Sequence, residues 1–96
     1  MDIPIAIRSR RLISFTYDGL PRVVQPATYG YTTAGNLAVR GVLIRGESRR
    51  NMLPCWELFK ESKMAGFDML DETFEDFAKP GYTLGDSGFS QILEEH

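Results

Sequence analysis

Few side chains in this sequence could act as nucleophiles, general bases or metal ligands. The chain contains one cysteine, Cys55, and one histidine, His96, so a catalytic Cys–His pair would have to join these two residues. They cannot complete a zinc site, and the carboxylates lack the spacing of a calcium-binding loop. No glycine-rich phosphate loop followed by Lys-Ser or Lys-Thr is present. We therefore expect a non-catalytic protein without metal ions or cofactors, in which Cys55 fills the core.

Arginine, lysine and tryptophan side chains on predicted strands are the remaining candidates for binding. Arg22 opens one strand, and Arg40 interrupts another that is otherwise mostly apolar. Trp56 and Lys60 have the same parity on a third strand, so their side chains project from one face. A guanidinium group binds oxyanions and an aromatic ring stacks on a base. This combination favours an anionic ligand that carries a phosphate and a base.

Trp56 and Arg40 could also have purely structural roles, and the sequence does not decide between these and binding. The ring of Trp56 could pack in the core. Arg40 either reaches solvent or needs a partner, because an unpaired buried charge costs several kcal/mol. Glu57 or Glu61 on a neighbouring strand could form that salt bridge.

Charge is unevenly distributed along the chain. Residues 1–63 contain ten of the eleven lysines and arginines and five acidic residues, which gives +5. Residues 64–96 contain one lysine and eight acidic residues, which gives −7. Such segregation indicates a basic face for an anionic partner and an acidic segment elsewhere. The alternative is that the two parts pair with each other or are simply solvated.

The elements that must position these residues are one helix and several short strands. The first ten residues predict a short helix beginning near Pro4, with Ile3, Ala6 and Ile7 on one face. The apolar period then changes to two, and Asp18-Gly19 predicts a tight turn between two strands. A charged loop is expected from Gly46 to Asn51. The expected strands run from Leu12 to Tyr17, Pro21 to Gln25 with an extension to Tyr31, Leu37 to Arg45, Leu53 to Lys60, and Lys63 to Met69.

Five short strands after one helix predict a mainly-β fold, an antiparallel SH3-like or Sm-like barrel. Residues 71–78 and a segment capped by Asp86 have helical spacing, which predicts an acidic, helical C-terminal tail. The expected organisation is a barrel domain over residues 1–70 and an extension over residues 71–96 that docks on it. The docking side chains would be Phe74, Phe77, Tyr82, Phe89, Ile92 and Leu93. The extension is a lid if its acidic residues face the basic side chains, and a structural cap otherwise.

The hydropathy of the sequence bears on its location. No stretch approaches the ~20 apolar residues of a membrane span, and the acidic start does not match a signal peptide. A single cysteine cannot form an internal disulfide. We therefore expect a cytoplasmic protein that does not associate with membranes, with its oligomeric state left open.

Several segments together resemble one family. A strand ends in Tyr17, Gly19 follows, and Arg22 to Pro26 reads Arg-Val-Val-x-Pro. A strand with a central glycine comes next, and Leu58 to Met64 is similar to a Phe-Arg-Leu-Asp-Arg-Ile motif. Over about residues 3–70 the chain thus resembles the WYL domain, a bacterial ligand-sensing module with an Sm/SH3-like barrel. The family's naming triplet is Leu37-Ala38-Val39 here, and the helix-turn-helix domain usually fused upstream in the family's regulators is missing. The chain thus resembles a divergent, stand-alone member.

The resemblance implies a regulatory domain that binds a negatively charged ligand, either a nucleotide or single-stranded nucleic acid. Arg22, Lys60 and Lys63 match the family motif, although lysine at the last two positions keeps the charge and loses the bidentate geometry of arginine. Arg40 and Trp56 complete the expected site through their strand positions. The alternative function is protein–protein interaction or oligomerisation, since small barrels of this type also associate edge to edge.

Overall fold

The computed structural model describes residues 2–48 and 52–96, and within them the chain forms one short α-helix, a 3₁₀ turn and six strands. The predicted charged loop from Gly46 to Asn51 lies partly outside these residues, and with it Arg49 and Arg50. The prediction of a mainly-β chain with a short N-terminal helix is confirmed. The elements are α1 (Ile3–Ser9), β1 (Arg11–Tyr17), β2 (Leu20–Thr32), β3 (Leu37–Gly46), β4 (Cys55–Lys60), the 3₁₀ turn (Glu61–Lys63), β5 (Ala65–Thr73) and β6 (Phe89–Glu95).

The short helix α1 packs against β1, β2 and β6. Pro4 lies in its first turn, where a missing N–H costs no helical hydrogen bond. Arg10 ends the helix in the left-handed conformation, with a φ of 55°. The buried face is the predicted one and comprises Ile3, Ala6 and Ile7, each at most 1% exposed.

An antiparallel hairpin joins β1 and β2 at the predicted turn. Asp18 and Gly19 have φ values of 53° and 73°, the positive values that a tight hairpin turn requires. Ile13 pairs with Val24, and both side chains are fully buried. The hairpin therefore supplies the centre of the core, where Ile13, Phe15, Val24, Tyr29, Val39, Leu43 and Phe59 cluster with the face of α1.

The sheet is built around the thirteen-residue strand β2. It pairs with β3 from Arg22 to Tyr31, with β1 through residues 20–24, and with β6 through residues 28–32. A register shift between Pro26 and Thr28 marks a bulge, so the strand continues beyond the proline instead of ending there. The strand order is β4-β3-β2-β1-β5, with β6 beside the second half of β2.

The described residues form an antiparallel sheet of six strands and not the predicted closed barrel of five. The order of the sheet ends at β4 and β5, and within residues 2–48 and 52–96 these two edges do not pair with each other. The additional strand is β6, which lies in the segment where helices were predicted.

The helical tail predicted over residues 71–96 is wrong. Residues 71–73 extend β5, residues 74–88 form neither helix nor strand, and residues 89–95 form β6. β6 is extended because β2 offers it an edge beyond the end of its pairing with β1, from Thr28 opposite Glu95 to Thr32 opposite Phe89. A short segment follows such pairing rather than its local propensity. Strand β5 runs across residue 70. The division of the chain into a domain and an extension at that residue stays a prediction.

The helical content is small. The α-helix α1 has seven residues. Across the described ranges, no helix has the length and apolar character needed to cross a bilayer.

Candidate functional site

Three neighbouring strands place polar and aromatic side chains on one face of the sheet. Thr28 on β2 pairs with Arg40 on β3, and Arg40 pairs with Leu58 on β4, two residues after Trp56. Opposite residues, and residues two apart on a strand, share a face, so Thr28, Arg40 and Trp56 form one surface. The segment between β5 and β6 completes a pocket of about 340 Å³. That segment contributes Gly81, Tyr82, Thr83, Asp86 and Ser87.

The segment before β6 holds Arg40 in place. Arg40 Nε donates to Asp86 Oδ2 in an ion pair, and the guanidinium carbon lies 5.9 Å from the centre of the Phe89 ring. Asp86 Oδ1 accepts a hydrogen bond from the Gly88 N–H at 2.8 Å. A Cβ on Gly88 would lie 2.7 Å from Arg40 Nη2, so the backbone approaches the guanidinium as closely as glycine allows. The predicted salt bridge of Arg40 is thus formed with a different partner from the two glutamates expected.

Trp56 is fixed by aromatic side chains of the C-terminal segment. Its Nε1–H donates to the Pro80 carbonyl at 2.9 Å. Its ring centre lies 5.2 Å from that of Phe77 and 6.5 Å from that of Tyr82. The side chain is half-buried, so it packs against these rings and also lines the pocket. Phe74 and His96 extend the cluster through their contacts with Phe77.

Arg22 lies on the core side of the sheet, outside the pocket. It is 3% exposed, and its Nη1 donates to Glu57 Oε2 at 3.0 Å while its Nη2 donates to the Tyr17 carbonyl at 3.3 Å. The guanidinium carbon is 5.6 Å from the centre of the Phe59 ring. Among the described residues, Arg22 Nε has no hydrogen-bond partner. Its burial and its pairing with Glu57 do not favour a role in ligand binding.

The two predicted lysines also lie apart from the pocket. Lys60 ends β4 and is half-buried, and its backbone N–H donates to the Tyr17 hydroxyl at 3.1 Å. Lys63 is exposed in the 3₁₀ turn. Neither is among the described residues that line the pocket. The structure therefore brings together Arg40 and Trp56, and leaves Arg22, Lys60 and Lys63 outside their site.

Ion pairs join the basic and acidic parts of the chain. Of the five ion pairs between described residues, four connect residues 1–63 with residues 64–96. They are Arg8–Glu94, Arg11–Asp71, Arg40–Asp86 and Arg45–Glu72. For these residues the charge segregation produces pairing between the two parts. Four of the arginines are therefore compensated and do not present an uninterrupted basic face.

The candidate nucleophile and base do not form a reactive pair. Burial, and then the nearby Glu57 carboxylate, raise the pKa of the Cys55 thiol, which keeps it protonated and weakly nucleophilic at neutral pH. Cys55 is 4% exposed and belongs to the core cluster, whereas His96 packs on Phe77 with ring centres 4.7 Å apart. In the part of the chain that the structure describes, no three His, Cys, Asp or Glu side chains form a group that could hold a metal ion.

The sequence does not single out Thr28, Tyr82 or Asp86 as site residues. Thr28 lies in a stretch expected only as a strand extension, and Tyr82 is expected only to dock the tail. Asp86 begins the run Asp-Ser-Gly, a turn signal in which the aspartate bonds its own backbone. No local signal connects it to Arg40, which lies 46 residues earlier.

The candidate site rests on the geometry of this chain alone. No family model, curated protein or solved structure that was compared with the chain matches it.

Proposed function

We propose that this protein is a non-catalytic domain that binds a small ligand, with a ring and a negatively charged group, in the pocket around Arg40 and Trp56. The observation that carries the proposal is one guanidinium group beside two aromatic side chains, Trp56 and Tyr82, in a pocket of about 340 Å³. Small-molecule pockets begin at roughly 300 Å³ and combine apolar walls with a few oriented polar groups. The pocket has both features.

A ligand of nucleotide size or smaller suits this site better than a nucleic-acid strand. Binding a strand requires cations that follow its backbone along a groove. Here Arg8, Arg11 and Arg45 are ion-paired, and Lys60 and Lys63 lie outside the pocket lining. A nucleotide therefore remains a candidate ligand of the pocket, and it is favoured over single-stranded nucleic acid.

Membership of the WYL family, a general SH3-like or Sm-like strand arrangement without a closed barrel, and a regulatory role remain part of the proposal. Their support is the sequence resemblance at Tyr17, Gly19 and Arg22, together with a short helix followed by the β1–β2 hairpin. In this proposal the ligand binds at Arg40, on the face opposite Arg22. The cytoplasmic location stays a prediction from the sequence.

Titration followed by Trp56 fluorescence and amide chemical shifts tests the proposal. Trp56 is the one tryptophan of the chain, so its emission reports on the pocket. The probes are nucleotides, cyclic dinucleotides, short single-stranded DNA and RNA, and small aromatic acids. Arg40→Met should weaken binding about tenfold or more, the cost of losing a charge-assisted hydrogen bond.

The matched control is Arg45→Met, which removes an arginine from an exposed ion pair with Glu72 and should leave the affinity unchanged. Thr28→Val, which removes a pocket hydroxyl at nearly constant volume, provides a second variant if Arg40→Met does not fold. Binding that survives both pocket substitutions, or no binding across the panel, would contradict the proposal.

Edge-to-edge association is the second candidate function. Strand β4 is an edge of the sheet and carries Leu58, which is 36% exposed. The unpaired backbone groups of such an edge can pair with another strand. Sedimentation without ligand distinguishes the two functions. A dimer that Leu58→Lys dissociates supports association, and a monomer at all concentrations argues against it.

A further inference from the structure

Asp86 is a fixed part of the pocket wall, and its position bears on which ligands the pocket accepts. Its side chain is 14% exposed and lines the pocket together with Arg40. Besides the ion pair with Arg40, it accepts a hydrogen bond from the Gly88 N–H at 2.8 Å. Since the loop's own backbone holds this carboxylate, an arriving anion does not simply displace it. Asp86 therefore stays in place as a negative charge beside the guanidinium.

The charges of the pocket balance each other. Among the described lining residues, Arg40 supplies one positive charge and Asp86 one negative charge. A ligand with only an anionic group meets a guanidinium that is already compensated, and it is repelled by the carboxylate at short range. A ligand with only a cationic group meets the same arrangement with the signs reversed. A ligand that carries both charges side by side is attracted by both residues.

Both residues retain hydrogen-bonding capacity for such a ligand. Over the described ranges, Arg40 donates only from Nε, so its two terminal nitrogens make no hydrogen bond within the chain. The two oxygens of Asp86 have about four acceptor positions, of which Arg40 and Gly88 use two. Trp56 and Tyr82 provide the apolar wall against which a ring can pack. The volume of about 340 Å³ suits one ring with a short chain.

We propose, building on the proposed function, that the pocket selects a zwitterion with adjacent carboxylate and ammonium groups and an aromatic ring, which is the chemistry of an aromatic amino acid. The carboxylate binds the terminal nitrogens of Arg40, and the ammonium group lies beside Asp86. The ring contacts Trp56 and Tyr82.

A series of matched probes tests this selectivity on the unmodified chain. L-Phenylalanine carries both charges, 3-phenylpropionate only the anion, and 2-phenylethylamine only the cation. Calorimetry and amide shifts should show phenylalanine binding about fivefold to tenfold more tightly than either analogue, because each lacks one charge-assisted contact. Asp86→Asn should remove this preference and favour 3-phenylpropionate, whereas Glu72→Gln, the same charge change in an exposed pair, should leave it unchanged.

The outcomes separate this inference from the proposed function. Phenylalanine as the tightest probe, with the preference lost in Asp86→Asn, supports the inference. If 3-phenylpropionate, or adenosine monophosphate as a nucleotide of the wider panel, binds as tightly as phenylalanine or more tightly, the inference fails and the proposed function stands. If 2-phenylethylamine does so, both fail, because the pocket then does not require a negatively charged group. If none of these probes binds, the inference fails, whereas the proposed function fails only if the wider panel of nucleotides, nucleic acids and aromatic acids does not bind either. The titrations of the unmodified chain decide the matter even if Asp86→Asn does not fold.

Discussion

Replacing Glu57 by alanine should be among the most damaging single changes to this fold. The pair it forms with Arg22 is largely inaccessible, with the two side chains 3% and 19% exposed. Alanine would leave a buried guanidinium without its counter-charge, and breaking such a pair costs about 3–5 kcal/mol. The hydrogen bond from the Ser48 hydroxyl to Glu57 Oε1, at present 2.7 Å long, would also be lost. Since a domain of this size is stable by roughly 5–15 kcal/mol, Glu57→Ala should remove a large part of the total.

Urea and thermal unfolding measure this loss. Each kcal/mol should lower the Tm by about 4–8 °C in a chain of this length. The control is Glu72→Ala, which breaks a pair whose side chains are 52% and 56% exposed and should change stability by no more than about 0.5 kcal/mol. Arg22→Met with Glu57→Leu should recover most of the stability, because replacing both partners by apolar groups is often neutral. A loss below about 1 kcal/mol in Glu57→Ala, or a double variant as unstable as the sum of its parts, would refute this reasoning.

Three further perturbations probe other parts of the chain. Gly30→Ala should lower the free energy of unfolding by about 1–3 kcal/mol and speed amide exchange in β6. The reason is that an alanine Cβ at this position would lie 2.1 Å from the Gln91 carbonyl oxygen. Unchanged exchange would argue against this contact. Cys55 should resist a thiol reagent in the native protein and react on unfolding, because burial raises its pKa; labelling of the native protein at the rate of a free thiol would contradict this. Burial and then Arg10 lower the pKa of His96 below its usual 6.5, so its contribution to stability is present above that pH and is lost as the pH falls through the folded-state pKa. The urea midpoint should therefore drop more between about pH 7.5 and pH 5.5 in the parent than in His96→Phe, and equal drops would exclude this role.

Local patterns in the sequence predict the first half of the fold well. The buried face of α1 follows from helical spacing, and the β1–β2 hairpin follows from Asp18-Gly19 between alternating strands. The shared face of Arg40 and Trp56 follows from an uninterrupted strand period once β3 and β4 pair. Each of these features depends on residues close together in the chain or on one antiparallel pairing.

Features that depend on distant pairings could not be predicted in the same way. The segment that forms β6 is only seven residues long, and its conformation is decided by an edge of β2 some sixty positions earlier. The ion pair of Arg40 with Asp86 depends on the same docking. The burial of Arg22 did have a signal, because Arg22 shares the parity of buried Val24, as Glu57 shares that of buried Phe59. The resemblance to the family motif instead predicts a ligand-binding role for its charge.

The long strand β2 has a consequence for the order of events during synthesis. Once the chain has been made as far as Thr73, β2 can pair with β1 and β3, but its half from Thr28 to Thr32 lacks the neighbour that β6 provides. An unpaired strand edge of this kind invites pairing with other chains. Tyr82 and Asp86 also follow β5, so the pocket does not exist at that point. Docking of β6 thus protects the nascent sheet in the same late step that completes the pocket.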